Sequence, residues 1–149
     1  MSCRGYTGRQ HLSKKPQLDA AVRRRNQTLI QIAESFLDIA KQEAKEGYAR
    51  DDERRIRDAA EKAWNAALQA TDHAMQIHGR APEPGRGAHG DRHEFLEAVG
   101  RRDLSKELSY FADRLHGECF YQGNCPTREG MQTALKEVEH YIRKIREEF

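Results

Sequence analysis

Aromatic side chains make up only 7% of the 149 residues, and the chain has 3 cysteines and 4 prolines. Each scarcity excludes something. Three scattered cysteines are too few for the disulfide framework of a small secreted domain, and they point to a cytoplasmic protein. No run approaches the ~20 apolar residues of a membrane-spanning helix, so no membrane segment is expected. The first fifteen residues are basic but lack an apolar stretch, so they do not read as a secretory signal. Nowhere do apolar and polar residues alternate at period two, which removes half-buried strands from the expected fold. The length suits one domain with a single core.

Charge is what the chain has in abundance: 34% of residues, for a net charge of +2. It is unevenly spread. Residues 1–25 carry seven basic side chains against the single acid Asp19, leaving 19 basic and 23 acidic groups for the remainder. A basic end on a mildly acidic body suits either a solvated tail or a contact with a polyanion. Residues 1–15 have no periodicity and read as a flexible basic arm, with one helical domain over 16–149.

Within that domain the apolar spacing is helical throughout. Pro16 suits a first helical turn, and Leu18, Val22, Leu29, Ile32, Ala33, Phe36, Ala40 and Ala44 continue a helix of about thirty residues that Gly47 is expected to stop. Ile56, Ala60, Ala63, Ala67, Ala70, Ala74 and Ile77 alternate steps of four and three, an alanine seam on which a neighbouring helix can sit closely. Residues 79–92 hold four glycines and two prolines and read as a loop. A short helix follows, with Asp91 as its N-cap and Phe95, Leu96 and Val99 as its apolar side. After Gly100 come Leu104, Leu108, Phe111 and Leu115, with a break expected from Gly117 to Pro126. Met131, Leu135, Val138, Ile142, Ile145 and Phe149 mark the last helix. The expectation is an all-α, up-and-down antiparallel bundle of four main helices and one short one.

Chemistry has few places to reside. Gly85, Gly87 and Gly90 match the spacing of a dinucleotide fingerprint, but that motif works between a strand and a helix, and here a helix and two prolines precede it. The loop carries Arg80, Arg86, His89, Arg92 and His93 and leads into a helix N-terminus, so a phosphate contact there stands against the plainer and preferred reading of a mobile surface loop. Glu137 and His140 form half of a di-iron pair with no second half, and both point away from the Val138 seam. His116, Cys119 and Cys125 lack zinc spacing, so a Cys119–Cys125 disulfide or two buried thiols is preferred, and no metal or cofactor is expected. His73 and His78 share no helix face and read as incidental surface residues. His116, beside the buried seam at an expected helix end, is a candidate general acid or base with an arginine setting its pKa, or else a helix cap. Arg114, two residues away, faces the other side of its helix and reaches His116 only across a dimer.

Glu61-Lys62-Ala63-Trp64-Asn65-Ala66-Ala67, then His78-Gly79, Leu115-His116-Gly117 and Phe120-Tyr121, together with the closing amphipathic helix, resemble the small stand-alone HEPN-like proteins over residues 20–149. The resemblance implies a helical bundle, commonly a homodimer, in a superfamily whose catalytic branches are metal-independent RNases. Several of its members act in toxin–antitoxin or defence systems, which would supply a nucleotidyltransferase-like partner protein. Their Arg-x4-6-His motif uses the histidine as acid or base and the arginine to hold the scissile phosphate. His116 occupies the histidine's place, but Ser109, Tyr110 and Phe111 stand where the arginine belongs. Arg86 and His93 have the spacing but fall in the Gly/Pro loop. The expected catalytic set is therefore His116, Arg114 and Tyr121. The expected RNA- or nucleotide-binding set is Arg23, Arg24, Arg25, Arg86 and Arg92. A non-catalytic interaction module is the remaining alternative.

Overall fold

The computed structural model describes residues 14–149, with side chains from residue 29 onward except that of Arg86. Its described residues are all helical apart from turns and connections, and none forms a strand. Helix α1 spans Lys14–Arg50, α2 Glu53–Ile77, α3 Ala88–Ala98, α4 Arg102–Phe111 and α5 Arg128–Glu148. A single 3-10 turn, Gly85–Gly87, precedes α3, and a π-helical segment, Ala112–Tyr121, continues α4 without a break.

Ion pairs fix how the helices run. Glu43 and Glu46 of α1 meet Lys62 and Arg55 of α2. Glu34 and Lys41 of α1 meet Arg146 and Glu139 of α5. Arg101, the residue before α4, and Glu107 of α4 meet Glu148 and Lys144 of α5. In each set the partner's number falls as the residue number rises, so neighbouring helices are antiparallel.

The chain turns from α1 to α2 in two residues. Asp51 takes a left-handed conformation (φ 53°), which aspartate tolerates better than most side chains. Asp52 then caps α2 by accepting from the Arg55 amide at 3.2 Å. Gly47 does not stop α1, which continues to Arg50. Its lack of a side chain serves a close approach instead: an added Cβ would lie 2.8 Å from Ile56 Cγ1.

The core is the alanine seam of α2, its alanines fully buried, filled in by Leu37 of α1, Leu104, Leu108 and Phe111 of α4, and Met131, Val138 and Ile145 of α5. Small residues on one helix and large ones on its neighbours allow close packing without voids. At its centre the Tyr141 hydroxyl lies 2.6 Å from Thr71 Oγ1, and Thr71 donates to the Ala67 carbonyl at 2.8 Å. Ala33, Ala40 and Ala44 of the expected α1 seam are buried, but Ile30 and Leu37 complete it in place of Leu29, Ile32 and Phe36; Ile32 is 37% exposed and so is Ile77 of α2.

Three further expectations are corrected. The loop is shorter than 79–92, because α3 begins at Ala88 and not beyond Asp91. Asp91 therefore lies inside the helix, and its carboxylate accepts from the Glu83 amide at 2.7 Å, tying the preceding loop down. Gly117 is not a break either: it lies within the π segment, which runs to Tyr121. No helix among the described residues is long and apolar enough to cross a membrane.

Candidate functional site

The π segment is the local feature that builds a site. Its hydrogen bonds close from residue i to i+5, as in Gln122 N–H to the Gly117 carbonyl at 3.1 Å, so residues four and five apart share a face. His116 is consequently flanked by both Phe120 (ring centroids 6.2 Å apart, planes 16° apart) and Tyr121 (4.8 Å, 80°). Facing this ladder, α2 presents Arg57, Glu61 and Trp64 at the i, i+4, i+7 spacing of one helix face. Trp64 lies 5.8 Å from the His116 ring. Glu61 Oε1 is 2.7 Å from His116 Nδ1, with both side chains partly open to solvent.

That contact sets the histidine's chemistry. An ionised carboxylate only accepts hydrogen bonds, so Nδ1 carries the proton, and in the neutral ring Nε2 keeps its lone pair. Arg57 reaches past Glu61 to donate from Nη2 to the carbonyls of Phe120 at 2.7 Å and Tyr121 at 2.9 Å. A cation at carbonyls left over at a helix end is electrostatically favourable, and here it also pins the two aromatic residues. The Cys119–Cys125 disulfide ties the same turn to the connection before α5. Glu53, Arg54, Arg57, Asp58, Phe120 and Tyr121 line an open hollow of about 500 Å³ beside His116, so its two cations face two carboxylates.

A second imidazole group lies on the other side of Trp64. His89 of α3 meets the Trp64 ring edge-on at 5.7 Å, and its Nε2 lies 3.2 Å from His93 Nε2. His93 Nδ1 is 2.7 Å from the buried Ser105 hydroxyl, which itself contacts Glu97. Partial desolvation pushes the pKa of both imidazoles below its ordinary value, although His89 is largely open to solvent, and at His93 the charge of Glu97 opposes it. At His89, the charges of His93, Arg92 and His116 add to that effect and Asp113 opposes it.

Of the expected catalytic residues, His116 and Tyr121 lie in contact. Arg114 instead pairs with Glu118 at 3.3 Å and covers the Tyr110 ring at 5.5 Å, away from His116. The group that orients His116 is thus a carboxylate, Glu61, where an arginine was expected, and His116 is not at a helix end. Arg92 is held by Asp72 in a two-point contact at 2.7 and 3.1 Å, both side chains largely buried, so its charge is already matched. Arg23, Arg24 and Arg25 belong to α1, but their side chains and that of Arg86 lie outside the described ones. His73 is buried on α2 and not on the surface.

Arg57 was not singled out from the sequence; Glu61 entered only as part of the HEPN-like motif, and His89 and His93 only as residues of the Gly-rich loop, not as a pair. The i, i+4, i+7 spacing on α2 was legible, but nothing in it said that the π segment would lie opposite. Among the described residues no three His, Cys, Asp or Glu side chains converge as a metal cage. The disulfide takes both cysteines out of the zinc alternative, and it removes the support that scattered cysteines lent to a cytoplasmic setting. No protein-family model, curated protein or solved structure matches the chain.

Proposed function

We propose that this chain is a HEPN-like helical protein that binds single-stranded RNA or a nucleotide on the face formed by α2 and the π segment. One observation carries the reading: Tyr121 is 65% exposed, beside the Phe120 and His116 rings, on a hollow that Arg54 and Arg57 share with Glu53 and Asp58. Exposed rings stack on bases of any sequence, about 1–3 kcal/mol per base, and adjacent cations follow the phosphates. The test is fluorescence anisotropy with a short single-stranded RNA across a salt series. Binding should weaken steeply with salt, and Tyr121→Ala should weaken it at least about fivefold, the lower end of that stacking range. Absence of binding at low salt would refute the reading.

The Glu61–His116 hydrogen bond favours a second reading, a divergent metal-independent RNase in which His116 Nε2 takes the 2′-hydroxyl proton. His116→Ala then abolishes cleavage of an RNA substrate, and unchanged cleavage in that variant excludes His116 as catalyst. A homodimer and a toxin–antitoxin or defence role with a nucleotidyltransferase-like partner rest on the HEPN-like resemblance. The interaction-module alternative drew on the alanine seam of α2, but that seam is buried within the chain itself.

A further inference from the structure

We propose that His89 and His93 form a two-imidazole chelate for a late first-row divalent cation of the Zn²⁺, Ni²⁺ and Cu²⁺ class, with water filling the other coordination positions. The two residues are four apart on α3, and their Nε2 atoms face each other at 3.2 Å. Two nitrogens at about 2.0–2.1 Å from a tetrahedral zinc lie about 3.3 Å apart, so the spacing of the pair already matches that of two ligands to one cation.

The surroundings prepare the pair. Ser105 is buried and directs its hydroxyl at Glu97, which leaves an oxygen lone pair to accept the proton on His93 Nδ1 at 2.7 Å. That bond fixes the tautomer with the Nε2 lone pair free, the arrangement that supporting hydrogen bonds give to metal-bound histidines. In the cation-free protein His89 Nε2–H donates to that lone pair. On binding, the proton moves to His89 Nδ1, so the exchange is one of tautomers with no net proton released. No third His, Cys, Asp or Glu among the described residues completes a cage, so affinity follows the intrinsic imidazole preference, Cu²⁺ above Ni²⁺ and Zn²⁺. This inference is independent of RNA binding or cleavage.

The only tryptophan, Trp64, lies 5.7 Å from His89 and serves as the reporter. Titrating the full chain with NiCl₂ and CuCl₂ at neutral pH should quench Trp64 emission saturably, with the lower midpoint for Cu²⁺, and ZnCl₂ should relieve the Ni²⁺ quenching by competition. His93→Ala and His89→Asn should each raise the Ni²⁺ midpoint at least about tenfold, and Ser105→Ala about tenfold through the supporting bond. His140→Ala, at an exposed histidine on α5, should leave the midpoint unchanged. Circular dichroism identifies any variant that fails to fold, and the two histidine variants serve as alternates for each other. Quenching that stays linear in metal concentration, or a midpoint unchanged in a folded His89→Asn or His93→Ala variant, overturns the proposal.

Discussion

Replacing Thr71 or Tyr141, alone and together, tests whether the buried hydroxyl pair has the direction its partners imply. A threonine hydroxyl has one proton, and Thr71 gives it to the Ala67 carbonyl at 2.8 Å. Tyr141, fully buried and 2.6 Å away, must then donate into Thr71 Oγ1. Burial also pushes the Tyr141 pKa well up, so the proton stays on the phenol. Tyr141→Phe removes one hydrogen bond but leaves Thr71 donating to Ala67, a loss of about 1 kcal/mol. Thr71→Val leaves a phenolic proton buried with nothing to accept it, a loss of about 1–3 kcal/mol. With Tyr141→Phe already made, Thr71→Val leaves no tyrosine proton stranded, so the double variant is no less stable than Thr71→Val alone. Urea unfolding at neutral pH, with an unchanged dependence on denaturant, measures all three. Additive losses, or a larger loss for Tyr141→Phe than for Thr71→Val, would refute the assignment.

Three further outcomes follow from the packing and the charges. Gly47→Ala gains about 0.5–1 kcal/mol of helix propensity, but the new Cβ meets Ile56, and overpacking of about 1–3 kcal/mol should win. A net gain in urea midpoint would mean that α1 and α2 do not approach so closely there. His89 and His93 have folded pKa values below the ordinary 6.5, so the unfolded chain binds protons first. The stability they contribute is present above pH 6.5 and is lost as pH falls through their lower folded values. Urea midpoints between pH 5 and pH 8 should show this fall, and His93→Gln should reduce it. Arg92→Ala strands Asp72 in a mostly buried position and should cost about 2–3 kcal/mol of stability, with RNA affinity unchanged once the variant is folded. Lost affinity at full stability would show Arg92 to be an RNA contact.

The alternating four-three spacing of α2 and of α5 was legible because nearly every position that it marks is buried along a straight helix. The α1 seam was read less well, since both Ile32 and Leu37 are apolar and only the position of α2 and α5 decides that Leu37 faces inward. Gly47 was misread because glycine has two uses: it ends helices, and it lets helices touch. Only the neighbour Ile56, nine residues on, distinguishes them. Asp91 likewise has the chemistry of an N-cap, but the helix begins one turn earlier and its carboxylate serves the Glu83 amide.

His116 and Tyr121 were legible as a local group because five residues separate them along one segment, yet their setting was not. A π-helix has no propensity signature, and an ordinary α-helix would rotate residues 116 and 121 to different faces. The wider spacing brings Tyr121 to the His116 face, where Phe120, four residues on, would lie in an α-helix as well. Glu61 then becomes the partner of His116 because α2 runs antiparallel to this segment, with Arg57 opposite Phe120 and Glu61 opposite His116. The missing arginine upstream of His116 therefore has a counterpart on another helix, but Arg57 is engaged with backbone carbonyls, which makes it a support for the aromatic ladder. Its remaining nitrogen, Nη1, lies 3.9 Å from the Glu53 carboxylate, so its charge at the hollow is already partly matched. Arg57→Lys separates its two roles: lysine keeps the charge but not the paired bonds to Phe120 and Tyr121. If Arg57 acts mainly by holding the ladder, the lysine variant loses RNA affinity as severely as Tyr121→Ala; if it acts by charge, affinity and its salt dependence survive.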